Sequence, residues 1–150
     1  MRRTSISKAL MAVTPMMIVC SLLTSSVFAA AASEVKPCSN RTLIGDYGFA
    51  LEGTFLVPGL PFRGVVMQHY DGKGNLTQVD HVVVNGVPPE QEWTPGSGTY
   101  SVNPDCTGAA VINAVGNPPI NLHFVIVRQG REIRQVVDSN AATAVGTRVR

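Results

Sequence analysis

A chain of 150 residues, 45% hydrophobic and 15% charged, carries enough apolar material for one buried core and too little charge for an extended disordered protein. Twelve Lys and Arg stand against ten Asp and Glu, for a formal net charge of +2. The basic residues form no dense cluster, which excludes the electrostatic footprint of a nucleic-acid binder.

The amino terminus reads as an export signal. Met1, Arg2, Arg3 and Lys8 make a basic head, residues 9–23 are largely apolar, and Val27-Phe28-Ala29 followed by Ala30-Ala31-Ala32 offers small residues for cleavage. Cleavage after Ala29 or Ala32 fits, so residues 1–32 are taken as signal peptide and 33–150 as one mature domain. Thr14 and Pro15 interrupt the apolar run and argue against a retained anchor. Loss of the signal removes three basic residues and no acidic one, leaving nine basic against ten acidic residues. The basic balance of the whole chain therefore belongs to targeting. The expected compartment is the periplasm or the exterior.

Cys38 and Cys106 remain after cleavage. In an oxidising compartment the default expectation is a disulfide between them. It would remove roughly 4 kcal/mol of unfolded-state entropy in a chain-entropy treatment. It would also pin the amino-terminal segment to the turn Asn103-Pro104-Asp105. Two reactive thiols are the alternative, but there is no C-x-x-C pair and no neighbour that lowers a thiol pKa.

The mature chain alternates short apolar runs with turn residues. Residues 45–56 carry Tyr47, Phe49, Leu51 and Phe55 at odd positions, one face of a first strand. Pro58-Gly59-Leu60-Pro61 breaks it. Residues 62–70 form a second strand, turned by Asp71-Gly72-Lys73-Gly74-Asn75 into a third over 76–85, the clearest hairpin in the chain. Residues 86–96, with Pro88, Pro89 and Pro95, read as the longest loop. Gly98 to Val102 gives a strand centred on Tyr100, followed by strands over 109–115, 120–128, 132–138 and 141–149. No part of the mature chain shows helical periodicity.

About eight strands joined mostly by hairpins predict an all-β fold: a single antiparallel up-and-down β-barrel, with a β-sandwich as the alternative. Closure is favoured because it removes exposed edges. Several strands are apolar on both faces, as in Val82-Val83-Val84 and Phe124-Val125-Ile126-Val127. One face can line the barrel while the other meets the terminal segment or a second subunit. An outer-membrane barrel fits less well, since polar residues and prolines interrupt the outward apolar band it requires.

Gly45-Asp46-Tyr47-Gly48-Phe49, then Asp71 through Thr77, then Gly98-Thr99-Tyr100 through Asp105-Cys106-Thr107-Gly108 occur in that order. In these motifs the chain resembles a group of small exported bacterial β-barrel proteins whose function is unknown, over nearly all of its mature length. More distantly it is similar to allene oxide cyclase-like and lipocalin-like barrels. The resemblance implies a barrel fold and a bacterial source, and it places no catalytic motif on these residues.

Chemistry is therefore sought residue by residue. His69, His81 and His123 fall on three strands without the fixed spacing of a metal site, and no metal or other cofactor is expected. Asp71-Gly72-Lys73-Gly74-Asn75 lacks the ligand count of a calcium loop and reads as a turn. Glu52 lies on the face opposite Tyr47, Phe49 and Leu51, and Asp80 on the face opposite His81. A carboxylate facing an apolar lumen would be a candidate acid or base, and one facing outward would simply be solvated. No G-x-S-x-G elbow is present.

Candidate lining residues of a lumen are Tyr47, Phe49, Leu51, Met67, Tyr100 and Phe124, with Trp93 over its mouth. These residues either enclose a small hydrophobic ligand or fill a solid core, because eight strands leave an interior just wide enough for side chains. Three functions follow. The leading one is an exported binding module for a small hydrophobic molecule. The others are a cofactor-free cyclase or isomerase and a structural or interaction protein of the cell envelope. No nucleic acid and no membrane insertion after signal removal are expected, and the sequence leaves the oligomeric state open.

Overall fold

The computed structural model describes residues 36–149, so the expected signal peptide lies outside the described residues. Eight strands close into an antiparallel up-and-down barrel in chain order. They are β1 (Ile44–Phe55), β2 (Leu60–Asp71), β3 (Asn75–Val84), β4 (Thr94–Val102), β5 (Thr107–Ala114), β6 (Ile120–Val127), β7 (Glu132–Val137) and β8 (Ala141–Arg148). β8 returns to β1 with Tyr47 opposite Arg148 and Thr54 opposite Ala141. Closure leaves no sandwich edge.

Period-two alternation decides which side chains enter. β6 buries Leu122, Phe124 and Ile126 while Asn121, His123 and Val125 face out. β8 places Ala142, Ala144 and Gly146 inside, and these small residues make room for bulk from the neighbouring strand. The Phe49 ring lies over Gly146 and the Phe124 ring over Gly108, where a Cβ on either glycine would strike the ring. Glycine opposite an aromatic ring is a recurrent way to turn a small barrel's wall.

The two ends of the barrel differ. At one end a 3-10 turn, Asn40–Leu43, carries fully buried Leu43 into the core. The Tyr100 hydroxyl donates to the Asn40 carbonyl, and the Asn40 side-chain oxygen accepts from the Val102 amide at 2.8 Å. The Tyr47 hydroxyl donates to the Gly130 carbonyl and accepts from Arg148, which also donates to the Thr42 carbonyl. Cys38 and Cys106 form a disulfide beside this plug, their Cα atoms 5.0 Å apart. Tyr47, Tyr70 and Tyr100 pack edge to face across the interior, with centroids 5.4 and 4.9 Å apart. This end is closed and solid.

The opposite end is made by the β1–β2, β3–β4, β5–β6 and β7–β8 connections. There the inward residues Leu51, Phe55, Val82, Val84, Ile120 and Val137 are half-buried, while Phe62, Ala114 and Ala142 are buried and the Phe62 ring packs against Phe55 with centroids 4.4 Å apart. Pairing between β3 and β4 stops at Asp80 opposite Thr94, while β3 runs on to Val84 paired with β2 and touched on its other side by the returning loop, through the Val84–Val87 bridge and the Glu92 carbonyl at His81.

The structure shifts the expected strand boundaries, most by one or two residues. β4 begins at Thr94, inside the stretch read as loop 86–96, because Pro95, Gly96, Ser97 and Gly98 pair with β3 despite their low strand propensity. β2 starts at Leu60, inside the expected turn. β6 ends at Val127, and Arg128–Gly130 forms a 3-10 turn with positive φ at all three residues.

Candidate functional site: the open half of the lumen

The inner face is mostly apolar, and its longest connected line of polar groups runs along β2 and β3. The Tyr70 hydroxyl donates to Gln68 Oε1 at 2.6 Å, Gln68 Nε2 donates to Gln78 Oε1 at 2.8 Å, and Gln78 Nε2 donates to Asp80 Oδ2 at 2.8 Å. Their order follows from register. Gln68 pairs with Gln78 across β2 and β3, Tyr70 and Asp80 sit two residues away on the same face, and all four therefore line one stripe of wall. Tyr70 and Gln68 are 1% and 2% exposed, whereas Gln78 and Asp80 are half-buried, so the line leads from the closed core to the point where β3–β4 pairing stops.

Electrostatics follow the same gradient. Burial pushes the Tyr70, Tyr47 and Tyr100 hydroxyls up, which keeps them neutral donors. Burial also pushes the Asp80 carboxyl up, against the opposing pull of the Gln78 hydrogen bond and of neighbouring His81. Asp80 and Arg148 are the two charged residues on the inner face among the described strands, Arg148 at the closed end and Asp80 midway along β3. Gln135 on β7 also faces inward, and its Oε1 is buried without a donor.

The expected lining residues do not form one pocket. Tyr47 and Tyr100 belong to the solid end, Phe49 and Phe124 lie along the wall over their glycines, and Leu51 faces the open half. Met67 is a correction: it lies outside, opposite Gly48, 39% exposed. Val65-Val66-Met67 is apolar on both faces, so hydrophobicity could not set its parity. Trp93 is 45% exposed and packs against the outward-facing His81, centroids 6.1 Å apart, on the outer side of the wall. The surface troughs also run outside, one across β8, β1, β2 and β3 past Val145, Ala50 and Val65, another over β5 to β8 past Val125 and Val136.

The histidines are separately engaged on the outer face. His69 contacts Asp46 at 2.8 Å, His123 contacts Asp138 at 2.8 Å, and His81 contacts the Glu92 carbonyl at 2.6 Å. No metal-ligating cluster occurs among the described residues. Asp71 turns its carboxylate onto its own hairpin, accepting from the Asn75 side chain and the Lys73, Gly74 and Asn75 amides. These bonds, the Asn75 side chain first, hold its carboxyl at about 2. Of the two carboxylates singled out in the sequence, Glu52 faces solvent opposite Arg63 and Asp80 faces the lumen.

Sequence reading missed Gln68, Tyr70, Gln78, Gln135 and Arg148. Their signal was parity: Gln78 and Asp80 share the positions of Leu76 and Val82, and Gln68 sits between Val66 and Tyr70. Polar residues on the apolar phase of a strand mark an interior network. No protein-family model, curated protein or solved structure matches this chain.

Proposed function

We propose that this protein is an exported binding module that takes a small hydrophobic molecule into the open half of its barrel, with the molecule's polar end at Asp80. The observation that carries the reading is Asp80 itself. A carboxylate on the apolar face of a barrel wall is costly, and no basic side chain among the described residues pairs with it. Such placements concentrate at functional sites. The half-buried ring of Leu51, Phe55, Val82, Val84, Ile120 and Val137 supplies the apolar surroundings a small ligand needs.

Export is supported by the signal-like residues 1–32 and by the disulfide, which suits an oxidising compartment. The resemblance to small exported bacterial barrels agrees with it. Asp46, Glu52, Arg63 and Arg134 on outward positions break any lipid-facing band, so the barrel is read as water-borne.

Native mass spectrometry of the purified mature protein, followed by the same measurement after denaturation, tests the reading. A mass excess lost on denaturation is expected. A bare chain from every preparation, unchanged by added apolar compounds, would overturn the binding reading and favour an interaction protein of the envelope.

A further inference from the structure

We infer that the molecule held in the open half carries a protonated amine: an apolar body with a single ammonium head directed at Asp80. The inference rests on the binding reading above and adds the class of ligand.

The direction of the internal hydrogen bonds is the first support. Each link from Tyr70 through Gln68 and Gln78 donates toward Asp80, and the Gln78 N–H at its carboxylate pulls against the burial that pushes that carboxyl up. That line fills Oδ2 and leaves Oδ1 without a donor among the described residues. A ligand meeting Oδ1 therefore has to donate. A second acceptor says the same from the opposite wall: β7 lies four strands from β3 around the barrel, and Gln135 Oε1 is buried with no donor. A buried acceptor such as Gln135 Oε1 is rarely left empty, because an unmade hydrogen bond costs the full desolvation of the group, whereas Asp80 Oδ1 is open to water or to a ligand.

Charge placement separates an amine from a neutral donor. Among the described residues, Glu52, Glu90, Glu92 and Asp138 stand around the open end against the single basic residue Arg63. The closed end carries the excess of basic residues, including Lys36, Arg41, Lys73, Arg128 and Arg131. Arg148, the one cation on the inner face, is spent on Tyr47 and Thr42 at that closed end. A cation nearing the mouth is drawn in and an anion repelled. A carboxylate-headed amphiphile would set its charge against Asp80 with no inward base in the open half to receive it.

Three probes of one shape decide the matter: cyclohexylmethylamine, cyclohexylmethanol and cyclohexanecarboxylate, each titrated calorimetrically into the mature, disulfide-bonded protein at neutral pH. The amine is expected to bind at least about tenfold more tightly than the alcohol, the ratio of a charge-assisted to a neutral hydrogen bond, with the acid weakest. In Asp80→Asn the advantage of amine over alcohol should collapse to within about twofold, the alcohol binding as before. Equal binding of all three, or tighter binding of the acid, overturns the amine inference and leaves the lumen reading standing. Failure of all three to bind the folded wild-type protein overturns the lumen reading and the inference with it. The ranking in the wild-type protein decides even where D80N does not fold.

Discussion

Replacing Gln68 by Leu severs the internal polar line at its most buried link. Gln68 is 2% exposed, accepts from Tyr70 and donates to Gln78. Without it the Tyr70 hydroxyl, on a residue 1% exposed, has no acceptor and no route to water. An unsatisfied buried hydroxyl costs about 1–3 kcal/mol. Gln78 loses one bond but is half-buried and can turn toward water, so its share is about 0.5–1.5 kcal/mol. Q68L is therefore expected to lose about 1.5–4.5 kcal/mol in equilibrium urea unfolding at neutral pH. Adding Tyr70→Phe should return much of the hydroxyl's share, giving a coupling of about 1–3 kcal/mol in the double-mutant cycle. A Q68L protein within about 0.5 kcal/mol of wild type, or a cycle that is simply additive, would refute the network's structural role.

Three further outcomes follow from the geometry. Gly146→Ala drives a methyl into the Phe49 ring and should cost about 1–3 kcal/mol, whereas Gly48→Ala meets only a Val149 methyl at 3.5 Å and should change stability by less than about 0.5 kcal/mol in the same denaturation assay. The two unusual carboxylates should give opposite pH dependences. Asp71, held at about 2, adds stability that is fully present above the ordinary carboxylate range and is lost as pH falls through 2; Asp80, raised by burial, adds a term that declines as pH rises from the ordinary range through its raised value. Comparing each Asn variant with wild type across acid pH should show the two slopes with opposite sign. Finally, Cys38→Ala with Cys106→Ala should cost about 4 kcal/mol, the entropy of a loop spanning 68 residues, while the wild-type protein weighs two protons less than its reduced form.

The barrel was legible because the strands announce themselves by period two and the hairpins by their turn residues. Asp71 through Asn75 turned where expected, with Tyr70 opposite Leu76. β4 was half hidden because Pro95, Gly96 and Gly98 are poor strand formers, yet all three pair with β3 and the two glycines with β5 as well. The 3-10 turn at Asn40–Leu43 is too short to show a period, yet Leu43 closes one end of the barrel. Met67 was misplaced because Val65 and Met67 are as apolar as Val66, so composition alone could not say which parity faced inward. The interior polar line depends on Gln68 and Gln78 meeting across two strands, a fact of register that a list of residue types does not contain.

The central claim is that small apolar molecules enter the lumen and do not settle on the apolar outer face. Methyl-resolved NMR of valine-labelled protein titrated with cyclohexylmethylamine separates the two surfaces. Val66, Val82 and Val84 point inward, while Val65, Val125 and Val145 are 50%, 43% and 48% exposed on the outside. Binding in the lumen gives saturable shifts at the inner methyls, strongest at Val82, and none at the outer three. Saturable shifts confined to Val65, Val125 and Val145 would contradict it, and so would a titration that moves neither set.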